Sequence, residues 1–424
     1  MRVSVKRFLY VGIILSILIN NGFFRTLPDS TLLNIVQLLV IIVLNMASWY
    51  YYANSGKQFR KKMAFSVKYE IYVLIFILGV QFISECILRG NSISKFISSV
   101  SPYLYIFLLV PICILLYATN DLDKIFKKIT LFTIINLCIA IFVAVLFDTL
   151  GTNINMFEYY QTVATYRNGR LRLSDLDVFL GISTVYLLKT YFVSKERKKK
   201  SKALFGLMLV LFACFWVQQT RAIEYTIVFI IALAYTSYVR TDSKKVLIYM
   251  LGIGALGIML ISGGFDFLFA TFSLNGSKAS SSLMRIEEWK YAWEQFKIHP
   301  LVGYGVTKLT VPGAIKLNFS GYIYTQTYSH VDIGVVGSTA MLGIPYIGMY
   351  VVPIIRFGKT IYKGYGCRKK MLSDYMVFVC LFAFLILTSV TIVVTDGSRV
   401  YAWAYYMAAF EYYRWNVESV ADNE

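Results

Sequence analysis

Arginines and histidines are the residues best placed in this chain to do chemistry. Arg167, Arg170 and Arg172 lie within one short stretch. Arg221 sits in Gln218-Gln-Thr-Arg-Ala between two apolar runs, Arg285 near the head of a polar run, and Arg399 in Thr395-Asp-Gly-Ser-Arg. A planar guanidinium pairs bidentately with phosphate oxygens, so a cluster of this kind suits an anionic substrate. A single arginine near a helix end is equally well explained by snorkelling to lipid headgroups, which covers Arg399.

The chain has two histidines. His299 precedes Pro300 at the end of an amphipathic stretch, where an imidazole beside the last helical carbonyls is a sufficient explanation. His330 follows Tyr322-Ile-Tyr-Thr-Gln-Thr-Tyr-Ser and stands two residues before Asp332. There it could serve as a general base titrating near neutral pH, or as an interface anchor. The aromatic residues around these positions, Tyr324 and Tyr328 among them, suit stacking on sugars but also suit a membrane-interface belt. There is no Walker motif, dinucleotide fingerprint, HExxH or His/Cys cluster.

Composition determines what must position these residues. The chain has 424 residues, 58% hydrophobic and 15% charged, with a mean hydropathy of +0.62; soluble domains carry about 25% charged residues. Apolar runs of membrane-crossing length recur, about 17–25 residues each. They are continuous rather than alternating, which excludes a barrel. The expected fold is therefore all-α: a polytopic helix bundle of about twelve transmembrane helices with both termini cytoplasmic. The net charge of +19 follows the positive-inside rule, with basic runs at Lys57–Lys62, Lys195–Lys202 and Arg368–Lys370 as topology signals and anionic-lipid contacts, so no nucleic acid is implied. The six cysteines show no CxxC spacing, and neither a disulfide framework nor a metal site is expected. The N-terminal apolar segment lacks a small-x-small cleavage site and is expected to be a retained helix.

This topology divides the chain into three parts. Residues 1–263 hold nine helices, with an outer loop at 151–174. Residues 264–330 form a large helical extracytoplasmic loop, and 331–424 hold the last three helices. Within the large loop, Trp289, Ala292, Trp293 and Phe296 draw one apolar helical stripe, expected to seat that helix on the bundle. The helix should stop at His299-Pro300. Gly343-Ile-Pro345 predicts a kink or loosened turn in the tenth helix.

Arg285, Trp289, Ala292, Phe296 and His299-Pro-Leu-Val-Gly-Tyr-Gly305 together resemble the R…W…A…F…hP-x-x-G-x-G signature of the bacterial O-antigen polymerase and O-antigen ligase superfamily. Gln218-Gln-Thr-Arg221 is similar to its (S/T)-R element, and His330 with Gly343-Ile-Pro-Tyr-Ile-Gly348 to its H…G-I-x-G element. The resemblance implies a glycosyltransferase without metal or other cofactor, in the bacterial cytoplasmic membrane, acting outside on undecaprenyl-pyrophosphate-linked oligosaccharides. It implies His330 as the base, with Arg221 and Arg285 on the donor pyrophosphate. Arg170 and Arg172 join them by virtue of their loop, and Asp332, Tyr328 and Tyr324 are expected to contact the acceptor sugar. Membrane lipids, a chain-length regulator and a flippase are the expected partners. The expected activity is repeat-unit polymerisation for capsule or O-antigen, with ligation of finished glycan as the alternative. A flippase of lipid-linked oligosaccharides would instead carry charges inside its helices and show repeat symmetry.

Overall fold

The computed structural model describes residues 3–20, 31–150, 164–167, 170–173, 176, 178–238, 279–306, 310–319, 322–329, 333–368, 371–390, 393–395 and 399–421. The protein is mostly helical. Five described helices are long and apolar enough to cross a membrane, and three shorter apolar helices accompany them. The ninth expected span, 246–263, lies outside the described residues.

The first part comprises α1 (Val3–Asn20), α2 (Thr31–Ala53), α3 (Lys57–Leu88), α4 (Ile93–Thr119) and α5 (Leu122–Leu150). A hairpin of β1 (Ala164–Arg167) and β2 (Arg170–Leu173) follows. Then come α6 (Leu180–Val193), α7 (Arg197–Gln218) and α8 (Arg221–Tyr238). After α9 (Ala279–Ile298), a second hairpin pairs β3 (Thr310–Phe319) with β4 (Tyr322–Ser329). The chain closes with α10 (Gly334–Leu342), α11 (Ile344–Gly366), α12 (Leu372–Thr388) and α13 (Val400–Ala421). Both sheets are two-stranded and antiparallel. They correct the all-α expectation within the two expected outer loops, where short polar stretches carry no helical period.

The expected break near Gly343 is present. Gly343 has φ +73, and a Cβ there would lie 2.7 Å from the carbonyl group of Leu301, so α10 and α11 are separate helices that meet at this glycine. Apolar helices offer no water to a buried charge, so a carboxylate inside the bundle needs protein partners. Buried Glu70 accepts from Asn45 Nδ2 (3.0 Å), Trp49 Nε1 (2.9 Å) and Val110 N (2.9 Å). Val110 lies in the first turn of Leu109–Thr119, the α-helical stretch of α4 that follows a 3₁₀ stretch over Ser101–Leu108. Trp403 Nε1 donates to Tyr69 Oη, which donates to Met349 O, each at 2.7 Å, tying α13, α3 and α11 together.

The two ends of the bundle differ chemically. At one end Lys189 bridges Asp123 (2.8 Å) and Asp374 (3.0 Å), Tyr412 Oη reaches Asn120 O, and exposed lysines of α7's first turns crowd nearby. The opposite end receives the C-termini of α3, α5 and α7 and both the first hairpin and the loop after α9.

Candidate functional site

The turn carrying Arg221 is built from a helix that over-runs. The last turn of α7, Ala213–Gln218, is a π-turn, and it is closed by Gln219, whose φ of +50 lets its N–H reach Cys214 O at 2.9 Å. Thr220 O then accepts from Ile223 N and Glu224 N, both at 3.0 Å, so α8 begins at Arg221. A helix starting here directs its first N–H groups and the positive end of its dipole at whatever lies before the turn, which favours an anion.

The β1–β2 hairpin is fastened to this turn. Leu171 and Leu173 are buried beneath it, and Leu171 N donates to Asp148 Oδ1 at 3.0 Å. Arg172 donates through Nε to Gln218 O (2.9 Å) and through Nη2 to Thr220 Oγ1 (3.2 Å). The guanidinium of Arg170 lies 3.6 Å from the centre of the Trp216 ring. The structure thus brings Arg170 and Arg172 to the residues just before Arg221. Asp148 and Trp216 escaped sequence reasoning because both sit inside apolar runs and act across chain separations of 23 and 46 residues.

Arg285 is carried by α9. The buried face of that helix is Glu288 and Ala292, while Trp289 is 44% and Trp293 54% exposed. The expectation that the tryptophans seat the helix on the bundle is therefore corrected. The face that packs is centred one side over from the stripe, and Arg285 lies at its edge, exposed and without a carboxylate partner among the described residues. After Ile298 the chain turns at exposed His299, whose carbonyl accepts from Gly303 N at 2.8 Å.

The His299–Gly305 loop is held from two sides. Tyr304 N and Gly305 N donate to Ala340 O and Met341 O, both at 3.0 Å, and Ile344 N donates to Pro300 O at 2.8 Å. From α3, Gln81 Nε2 donates to Val302 O at 2.8 Å. Arg89, just past the end of α3, donates to Gly303 O at 2.9 Å and to Tyr304 O while pairing with the fully buried Glu85. Gly303 (φ +64) and Gly305 (φ +102) allow this approach. A Cβ at 303 would lie 2.2 Å from Met341 O, and one at 305 only 1.7 Å from Glu85 Oε1. Sequence reasoning singled out neither Glu85 nor Arg89. Their i,i+4 spacing at the end of an apolar helix was the available signal.

Because the C-terminal ends of α9 and α10 meet at this loop and the helices also pack side by side, they run in the same direction. At about 1.5 Å per residue, α10 rises roughly 13 Å, which sets Arg285 roughly one turn beyond Gly334, toward the end where the chain enters α10.

Residues 203–351 match the family model described as O-Antigen ligase. The resemblance to the O-antigen polymerase and ligase superfamily is borne out over that stretch. No curated protein matches the chain. The matched stretch runs from the second turn of α7 into α11, and so contains Arg221, Arg285, the clamped loop and Gly343, while Arg170, Arg172, Glu85 and Arg89 lie outside it. His330 and Asp332 fall within the matched stretch but outside the described residues. Tyr324 and Tyr328 belong to β4, in register with Leu317 and Val311. The match supports a function of O-antigen ligase or polymerase type, and the five apolar helices of spanning length support a membrane protein.

Proposed function

We propose that this protein polymerises undecaprenyl-pyrophosphate-linked oligosaccharide repeat units at the outer face of the cytoplasmic membrane, in capsule or O-antigen synthesis. Its fold in this reading is a bundle of about twelve spans with both termini cytoplasmic. His330 takes the proton from a hydroxyl on the non-reducing sugar of an incoming repeat. That oxygen attacks the anomeric carbon of the donor glycan, the bond to pyrophosphate breaks, and the configuration inverts. Charge gathers on the departing undecaprenyl pyrophosphate, and Arg221 and Arg285 hold it, with Arg170 and Arg172 beside them. Preorganised cations aimed at the developing charge are an effective form of catalysis, because they need no reorganisation during the reaction. Asp332, Tyr328 and Tyr324 contact the acceptor.

The observation that carries this reading is the bonding of Arg172 to Gln218 O and Thr220 Oγ1. It gathers the guanidinium groups of Arg170 and Arg172 at one turn, and Arg170 there has no carboxylate partner among the described residues. Guanidinium groups gathered at one turn suit a polyanionic substrate group.

Ligation of finished glycan to a separate acceptor is the second reading, favoured by the description of the matched domain itself. Deleting the gene distinguishes the two. Loss of a polymerase leaves lipid-linked single repeats, whereas accumulation of long, unattached lipid-linked polymer overturns polymerisation in favour of ligation. A flippase is the third reading, with the prediction that single repeats stay on the cytoplasmic leaflet.

A further inference from the structure

On α9, Ile286, Trp289 and Trp293 form one exposed stripe, adjoining but distinct from the buried face of Glu288 and Ala292. The stripe does not end with the helix. Ile298 is exposed and Leu301 is 69% exposed, and the hydrogen bond from Ile344 N to Pro300 O joins this apolar edge directly to α11, where Ile344 is again exposed. Exposed apolar side chains recur on α11 at Ile347, Val352 and Ile355 and on the last turn of α3 at Ile87 and Leu88, as on a surface that meets lipid. The stripe on α9 is therefore a continuation of that surface beyond the apolar spans. Flanking it are Lys290 and Lys297, the latter ion-paired to Glu294 and lying 6.0 Å from the centre of the Trp293 ring. Tryptophan rings at headgroup depth with a lysine beside them are characteristic of a membrane–water interface. A glycan-binding platform would keep the aromatic rings but has no use for the exposed isoleucines and leucine.

We infer that α9 is an interfacial helix, seated on the bundle by its Glu288–Ala292 face and sunk by its Ile286–Trp289–Trp293 face into the outer-leaflet headgroup layer. Arg285 lies between these two faces. It is held at the depth where a lipid-linked pyrophosphate enters from the bilayer, so the substrate arrives laterally, along the seam between α9 and the lipid. The seating of the helix stands on exposure and continuity alone. The role given to Arg285 rests on the polymerase reading above.

The test uses the full-length protein in nanodiscs, without substrate, so that its failure is separate from any failure of the enzymatic reading. Tryptophan fluorescence is quenched either by phosphatidylcholine brominated near the top of its acyl chain or by aqueous iodide, and the parent is compared with the Trp289→Phe/Trp293→Phe variant. Phenylalanine keeps the apolar stripe, and gel filtration together with retained secondary structure confirms folding. The expected result is that the variant loses most of the bromolipid-quenchable emission while its iodide-quenchable fraction is unchanged. If the lost emission is instead the iodide-quenchable part, the stripe faces water or a soluble partner and the inference is overturned. A variant whose quenching matches the parent by both reagents overturns it as well, since the two rings would then be shielded from lipid and water alike.

Discussion

Arg89 and Glu85, one helical turn apart at the end of α3, form an ion pair that reaches across 214 residues of chain to hold Gly303 O. The carboxylate is fully buried and also accepts from Asn91 Nδ2 at 2.8 Å. The pair thereby fixes the end of α9, and so the position of Arg285, relative to the bundle.

Removing one partner of a buried pair leaves an uncompensated charge, which costs about 3–5 kcal/mol. Arg89→Ala should therefore lower the thermal unfolding midpoint in detergent and reduce activity. The double variant Arg89→Gln/Glu85→Gln, which buries no charge, should recover part of the lost stability. Equal destabilisation by the single and double variants would contradict this account of the clamp.

Gly305→Ala should be damaging for a different reason. At φ +102 an L side chain is strained, by about 1–3 kcal/mol, and the new methyl would meet Glu85. Gly366→Ala, with open space around it, serves as the control and should leave unfolding and activity near the parent values.

Arg172 satisfies two acceptors from one planar fork, which lysine cannot reproduce. Arg172→Lys should thus behave almost like Arg172→Ala, each lowering kcat/KM on lipid-linked repeats by roughly tenfold or more, equivalent to about 1.4 kcal/mol. A lysine variant with parental kinetics would show that charge alone matters at this position.

The general base in the proposed mechanism must be neutral to accept a proton. Protonation of His330 should therefore lower the rate on the acidic side of the pH–rate profile. His330→Ala should cost about 10²–10⁴-fold and abolish the acidic limb. A parental limb in the alanine variant would assign the titration to another group.

Much of the bundle was legible because continuous apolar runs have few alternatives to a spanning helix. The end of α9 at His299-Pro300 and the break at Gly343 were legible through proline and glycine, whose effects are local. The orientation of α9 was not. Counting apolar positions assumes that the apolar face turns toward protein, and beside a membrane Trp289 and Trp293 are not bound by that assumption. Instead, Ala292 and the carboxylate-bearing Glu288 pack inward. The first hairpin was missed because four-residue strands such as Ala164–Arg167 carry too little alternation to register. The ties of Arg89 to Gly303 and of Arg172 to Gln218 depend on tertiary closeness, so no sequence spacing announces them.

The central claim is that purified protein lengthens lipid-linked glycan by itself, using Arg285 and His330. The direct measurement is incubation of the reconstituted protein with a defined undecaprenyl-pyrophosphate-linked repeat, followed by resolution of the products by length. The account predicts a ladder of lipid-linked oligomers with the parent, and single repeats only with Arg285→Ala or His330→Ala, both folded and inserted. Single repeats with the parent under all conditions, or a full ladder with either variant, would contradict it.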